Sequence, residues 1–195
     1  MKRLFVVRHA RSTGNDARVY EGWNGGSLTR KGVQQARKLG KFFRDIPLDV
    51  VYCSDLLRAK QTLEEMNLGL KTVFDPRLRE RDYGIHNGEP YGFMGENTSF
   101  DDFYLNYRLK PKNGESLIEV RKRVVSFFNF VEKQKHETAL VVTHHNPSML
   151  LIGLASQTPL WNWRVFVQSN ACVNQLVNEG GVWRIARIND TSHLH

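Results

Sequence analysis

The sequence predicts an α/β fold, a mostly parallel sheet with helices on both of its faces. Two observations carry this. Short β-branched runs alternate along the chain with segments whose apolar residues recur at helical spacing. The 195 residues, 41% hydrophobic and 25% charged, match an ordinary globular protein that closes a core without disulfides. With no internal repeat and no linker-like tract, residues 1–195 are expected to form one domain.

The first strand is expected at 4–7, continuous and β-branched as a strand buried on both faces should be. Thr29 can cap a helix in which Val33, Ala36, Gly40 and Phe43 share one face. Residues 49–53 read as a second strand, and Ser54 or Asp55 as the cap of a helix running to about Met66. A third strand is expected at 70–74. Leu117, Val120, Val124, Phe127 and Val131 mark a long amphipathic helix, with a strand at 139–143 after it. Late strands are expected at 165–168, 172–177 and 182–188. Residues 77–111 break the rhythm, scattering Tyr83, Tyr91, Phe93, Phe100, Phe103, Tyr104 and Tyr107 among glycines and charges. A long irregular stretch in a compact domain is more often functional than idle, so this one is expected to be a lid, with a short helix near 100–107.

Lys and Arg number 28 against 20 Asp and Glu, a net charge of +8 that favours anionic partners. No nucleic-acid-binding signature accompanies the surplus and the charges form no tail, so a small phosphorylated substrate is expected rather than nucleic acid. No run approaches the ~18 apolar residues of a membrane span. An arginine interrupts the N-terminal apolar run too early for a secretory signal. Cys53 and Cys172 give neither a disulfide framework nor a metal spacing. A cytoplasmic protein with no membrane partner is expected.

In doubly wound sheets, ligands bind at the carboxyl ends of the strands. Four segments meet there: Arg8-His9 after the first strand, residues 54–58 after the second, Glu80 in the loop after the third, and His144 after the fourth. A lone histidine at a strand end is more often structural than catalytic. Two imidazoles and two guanidiniums focused on one crevice instead make an anion site suited to a phosphoryl group. Arg58 falls in the first turn of its helix, where the dipole disfavours a cation unless an anion is near, which weighs against a plain surface arginine. Other chemistries fail. Cys53 to Arg58 is one residue short of Cys-x5-Arg, and no DxDx[TV] motif is present. Gly22-Trp23-Asn24-Gly25-Gly26 is neither a P-loop nor a dinucleotide fingerprint and reads as a flexible loop. His144-His145 is not metal spacing, since neighbouring strand residues face opposite ways.

The segment Leu4-Phe5-Val6-Val7-Arg8-His9-Ala10-Arg11-Ser12-Thr13-Gly14-Asn15 resembles the signature of the histidine phosphatase superfamily, the phosphoglycerate mutase-like phosphatases. The resemblance continues through Leu28-Thr29-Arg30-Lys31-Gly32 and Ser54-Asp55-Leu56-Leu57-Arg58-Ala59. It resumes at Leu78-Arg79-Glu80, Gly114-Glu115-Ser116, Val141-Val142-Thr143-His144 and Ile188-Asn189-Asp190, covering nearly the whole chain in order. Ala10 stands where the family has glycine, a change that is tolerated unless the backbone there needs φ > 0. The acidic residue usual in the next loop is replaced within Asn24-Gly25.

The resemblance implies a three-layer α/β/α sandwich around a mixed, mostly parallel sheet. It implies that His9 attacks phosphorus and carries the phosphoryl as phosphohistidine, one ring nitrogen pinned by a backbone carbonyl so that the other stays unprotonated. Arg8, Arg58 and His144 would bind the equatorial oxygens, with Ser12 and Asn15 as neutral donors. The leaving alkoxide needs a proton from a carboxyl group. One branch of the superfamily has an Asp directly after the second histidine, where this chain has His145, so Glu80 is the expected acid. Asp82 is its rival, and an ordinary loop salt bridge with Arg79 or Arg81 the bland reading of either. No metal and no cofactor is expected. A metal-independent phosphomonoesterase is the first reading, since the chain looks too short for the segment that shields the intermediate from water in mutases. A cofactor-dependent phosphoglycerate mutase is the alternative. A non-catalytic binding member comes third, opposed by the retained Arg8, His9, Arg58, Glu80 and His144. Arg11, Arg18, Tyr20, Trp23 and the lid aromatics point to a substrate with a second anion or a planar ring, or equally to a small core of the lid's own.

Overall fold

The computed structural model describes residues 1–92 and 106–195. Four strands run parallel: β1 (Arg3–Arg8), β2 (Val50–Cys53), β3 (Thr72–Phe74) and β4 (Thr138–Thr143). A hairpin of β5 (Val173–Glu179) and β6 (Val182–Asp190) adds antiparallel on the free side of β1, giving the order β3-β2-β4-β1-β5-β6. The sheet is mixed and mostly parallel, as expected.

Alternation along the strands builds two cores. Phe5, Val7, Val51, Cys53, Leu140 and Val142 face one side, packed against α2 (Arg30–Phe43) and α3 (Leu57–Met66). Leu4, Val6, Val50, Tyr52, Ala139 and Val141 face the other, packed against α4 (Leu117–Glu132) and α5 (His145–Ala155). This is the three-layer arrangement. A short helix, α1 (Thr13–Ala17), follows β1. Thr29 caps α2 as expected, its hydroxyl accepting from the Gly32 N–H. The five apolar positions predicted to mark α4 are all buried, and Ser116 and Glu119 form its capping box.

Several expectations are corrected. Residues 165–168 form no strand: Leu160–Val165 is a 3-10 helix, and Val165 and Val167 stand exposed beside the sheet without joining it. β3 is shorter than 70–74. Neither Ser54 nor Asp55 caps α3, whose cap position is Leu56 without a side-chain bond; Asp55 is taken by Arg79 and Ser54 by His144. Helix α5 had no periodicity to reveal it, because Met149, Leu150, Leu151 and Ile152 are all buried and the helix is apolar nearly all round. The lid stretch contains 3-10 turns at Pro76–Leu78 and Gly84–His86. The helix expected near 100–107 lies outside the described residues, apart from Asn106 and Tyr107. Residues 88–91 pair with 18–20: Tyr20 N–H donates to Glu89 O (2.9 Å), Gly88 N–H to Tyr20 O (2.7 Å) and Tyr91 N–H to Arg18 O (2.8 Å). None of the described helices is long and apolar enough to cross a membrane.

Candidate active site

β1 and β4 lie side by side in the middle of the sheet, so the residues just past their carboxyl ends, His9 and His144, become neighbours. The pairing extends one residue further, with the His9 N–H donating to Thr143 O at 2.8 Å. The two imidazoles sit 5.1 Å apart, ring centre to ring centre.

His9 is 2% exposed. Its Nδ1 lies 2.8 Å from the carbonyl of Ala10, so Nδ1 carries the proton and donates. Nε2 then holds the lone pair, and Arg58 Nε donates towards it at 3.3 Å. Burial, reinforced by the positive charges of Arg58 and Arg8, holds the His9 pKa well below its ordinary value. The ring is therefore neutral, with Nε2 unprotonated. Ala10 is absent from the positive-φ positions and its N–H donates to Thr62 Oγ1 (3.0 Å), which explains why alanine is accepted there.

Arg58, from the first turn of α3, is 1% exposed. Its Nη2 donates to Gly22 O (2.9 Å) and its Nη1 to Asn24 O (3.3 Å). The glycine-rich loop expected to be merely flexible is thus the socket for this guanidinium. Glu21 completes the socket, its Oε2 lying 3.4 Å from Arg58 Nε. That carboxylate also accepts from the Ser12 hydroxyl (2.7 Å) and the Gly14 N–H (3.1 Å). A side chain at position 14 or 26 would displace the Glu21 carboxylate, since a Cβ there would come within 2.1 Å of Glu21 Cγ or 1.7 Å of its Oε1.

Arg8 donates through Nη1 to Gln168 O (2.6 Å), while its Nε has no partner among the described residues. His144 is fully buried, with Nε2 2.8 Å from Ser54 Oγ. Ser54 Oγ also accepts from the Leu56 N–H (3.3 Å), and its own proton is assigned to His144 Nε2 because it has no other acceptor among the described residues. Nδ1 then bears the ring proton and has no partner among the described residues. Burial and Arg58 push the His144 pKa well down, so this imidazole too is neutral.

Glu80 follows the 3-10 turn Pro76–Leu78 and is 7% exposed. Its Oε1 accepts from Arg81 N (2.9 Å), Asn146 N (3.2 Å) and Asn146 Nδ2 (2.9 Å); Oε2 accepts from His145 N (3.0 Å). Arg79 forks onto Asp55 instead of Glu80. Asp82 turns away, accepting from Gly84 N and Asn87 Nδ2.

Five of the seven residues singled out from sequence, Arg8, His9, Asn15, Arg58 and Glu80, line one cavity of about 270 Å³. His144 lies directly against His9, set back from the cavity wall. Asn15 Oδ1 accepts from Ser12 N and Asn170 Nδ2, so its amide Nδ2 is the group presented to the cavity. Ser12 departs from expectation: it is fully buried as the cap of α1 and its proton is committed to Glu21, leaving no donor for a phosphate. Sequence reasoning missed Glu21, His145 and Asn146. The signal for Glu21 was its setting among Gly14, Gly22 and Gly26; for Asn146 it was proximity to His144. Arg11 and Arg18 do not line the cavity, and Trp23 is spoken for, donating to Glu80 O (2.8 Å) beneath the Arg79 guanidinium.

The model of the histidine phosphatase superfamily (branch 1) matches residues 4–191. A protein of Hydrogenobacter thermophilus provisionally named phosphoserine phosphatase 2 is 32% identical over 99% of this chain and 98% of its own. A 2,3-bisphosphoglycerate-dependent phosphoglycerate mutase of Azorhizobium caulinodans is 35% identical over 78% of this chain and 81% of its own. Among solved structures, Bacillus stearothermophilus YhfR superposes with a TM-score of 0.91 at 29% identity, over 100% of both chains.

Proposed function

This chain belongs to the histidine phosphatase superfamily (branch 1), and from that premise we propose that it is a phosphomonoesterase hydrolysing a small phosphorylated metabolite through a phosphohistidine on His9. The observation that carries this reading is the His9 ring: neutral, Nδ1 tied to the Ala10 carbonyl, and Nε2 held unprotonated under the Arg58 guanidinium. The whole chain works as one domain in this reading, in a cytoplasmic setting.

The phosphoryl group binds between Arg8 and Arg58, with His144 Nδ1–H and the Asn15 amide as neutral donors. His9 Nε2 attacks phosphorus and the P–O bond to the alcohol breaks, its electron pair going to the alcohol oxygen. Glu80 Oε2, the less committed carboxylate oxygen, supplies the proton that this oxygen needs. In the second half, Glu80 takes a proton from water, whose oxygen attacks phosphorus and frees His9 and inorganic phosphate. The two guanidiniums neutralise the charge that a metal ion handles in other phosphatases.

Chain length does not separate hydrolase from mutase, contrary to expectation: the mutase of Azorhizobium caulinodans is matched over similar shares of both chains, so the two are similar in length. The test is direct. Phosphate release from p-nitrophenyl phosphate, with an acid-labile, base-stable phosphoprotein trapped by rapid quenching, is the expected result; isomerisation of 3-phosphoglycerate without release would reverse it. Excess EDTA should leave the rate unchanged, whereas a loss restored by a divalent ion would overturn the two-guanidinium clamp.

A further inference from the structure

We propose that the buried carboxamide pair of Gln168 and Asn174 is a positioning device for Arg8: it fixes the Gln168 carbonyl on which the Arg8 guanidinium rests, and so aims that guanidinium at the phosphoryl group. The inference rests on the phosphatase reading, in which Arg8 clamps phosphate. It extends that reading to two residues that do not line the cavity.

The two arginines of the clamp are held differently. Arg58 is anchored by Gly22 O, Asn24 O and the Glu21 carboxylate. Among the described residues the Arg8 guanidinium makes one hydrogen bond, Nη1 to Gln168 O at 2.6 Å, and its Nε makes none. A guanidinium pinned at one corner takes its direction from that one acceptor. The acceptor is a backbone carbonyl, and it lies in residues 167–172, which belong to no helix or strand. In a regular element the backbone ladder would fix such a carbonyl; here side chains take over that task.

Gln168 is 2% exposed and Asn174 0%. Asn174 Nδ2 donates to Gln168 Oε1 (2.7 Å) and Val6 O (2.9 Å), while its Oδ1 accepts from Gln168 Nε2 (3.2 Å) and Asn189 N (2.8 Å). Gln168 Nε2 also donates to Val167 O (2.9 Å), and the Cys172 thiol lies 3.3 Å from Gln168 Oε1. Both amides are thus fully used. The pair ties residue 168 to β1 through Val6, to β5 through Asn174 itself and to β6 through Asn189. Apolar side chains of similar size would fill the space without desolvating two amides, and such replacements are often neutral or stabilising. What the amides add is direction, since a satisfied buried network admits one arrangement of its partners. The same stretch runs on past the end of β1, where Ala171 N donates to Arg8 O (3.1 Å) and Asn170 Nδ2 to His9 O (3.2 Å). An effect of the pair must therefore be traced to Arg8 and separated from one on His9.

Double-mutant cycles make that separation. Asn174→Leu removes one amide at similar size. Gln168→Met removes the other at the same length, and decides the matter if Asn174→Leu lacks a native circular dichroism spectrum. Each is measured alone, with Arg8→Ala and with Arg58→Ala. The readouts are kcat/KM for p-nitrophenyl phosphate and the Kd of inorganic phosphate by calorimetry. Alone, each variant should lose ~10–100-fold in kcat/KM and bind phosphate more weakly, since misplacing a positioning contact by about 1 Å costs up to that order. With Arg8→Ala the further loss should shrink below ~3-fold, whereas with Arg58→Ala it should persist in full. Equal losses in both backgrounds would overturn the inference and move the effect to His9 or the core at large. No loss in a folded variant, or unfolding of both variants, would overturn it as well. If the wild type releases no nitrophenol yet binds phosphate, the phosphatase reading fails and the phosphate cycles still decide this inference; absence of phosphate binding would overturn both.

Discussion

Arg58 is held by two backbone carbonyls and a carboxylate, and His9 by a third carbonyl, whereas Tyr20, Tyr83 and Tyr91 are held by one another and by single N–H donors. The first group stands at strand ends and on the first turn of a helix, where the sheet fixes the backbone. The second stands on loops, joined by the short pairing of residues 18–20 with 88–91. Chemistry that must repeat for every substrate is placed on the scaffold, and contacts that differ between substrates are placed on loops that can vary without disturbing it.

The sharpest way to break this division is His9→Ala. With the proposed nucleophile removed, turnover should fall on the order of 10⁴-fold or more, as when a covalent nucleophile is lost. The variant should keep its circular dichroism spectrum and yield no trapped phosphoprotein. Turnover close to wild type would refute the assignment.

Glu80→Gln comes next. The amide keeps the shape but lacks a transferable proton, so the loss should depend on the leaving group. For an alkyl phosphate it should reach about 10²–10⁴-fold, the usual worth of general acid catalysis. For p-nitrophenyl phosphate, whose phenolate departs with little protonation, it should be much smaller. An equal loss on both esters would mean that Glu80 only positions Asn146 and the start of α5, and Asp82→Asn would become the variant to measure.

The same division decides what was legible in the sequence. Leu4 to Val7, Ala139 to Thr143 and the α4 stripe follow simple periods, so the parallel core and the residues at its strand ends could be placed. His9, Arg58 and Glu80 were reached because sheet topology carries them to one crevice, and Asn15 only through the family resemblance. Helix α5 was not, because a helix buried all round has no polar face to betray its period. Ser12 was misread, since the residue type that donates to a phosphate is also the type that caps a helix. Glu21 was missed because its role exists only through Arg58, which is 37 residues away in sequence and pairs with it through folding. For Tyr20, Tyr83 and Tyr91, composition did not distinguish a substrate wall from a private cluster; the short pairing that brings them together is carried by backbone atoms, which leave no pattern in side chains.

The smallest expected effect is on stability, and there the two walls differ in sign. His9 and His144 are buried and His145 is half-buried, all three with lowered pKa values, that of His145 reaching about 4 through desolvation and the nearby Arg8. His193, half-buried near the C-terminus, is lowered as well. In the unfolded chain each of these regains an ordinary value near 6.5. As pH falls below about 6.5 the unfolded state therefore binds protons that the folded state refuses, and stability drops by up to about 1.4 kcal/mol per pH unit for each fully buried histidine. Tyr20 behaves in the opposite direction: burial raises its pKa, so stability is lost as pH rises past about 10, where only the unfolded phenol ionises. Denaturant unfolding at pH 7, 6 and 5 should show the acid slope; Glu119 and Asp190, both lowered to about 2, add theirs at lower pH. His145→Gln should remove about one histidine's share of that slope and leave the alkaline limb unchanged. An unaltered acid slope would mean that His145 accepts its proton in the folded cavity as readily as in the unfolded chain.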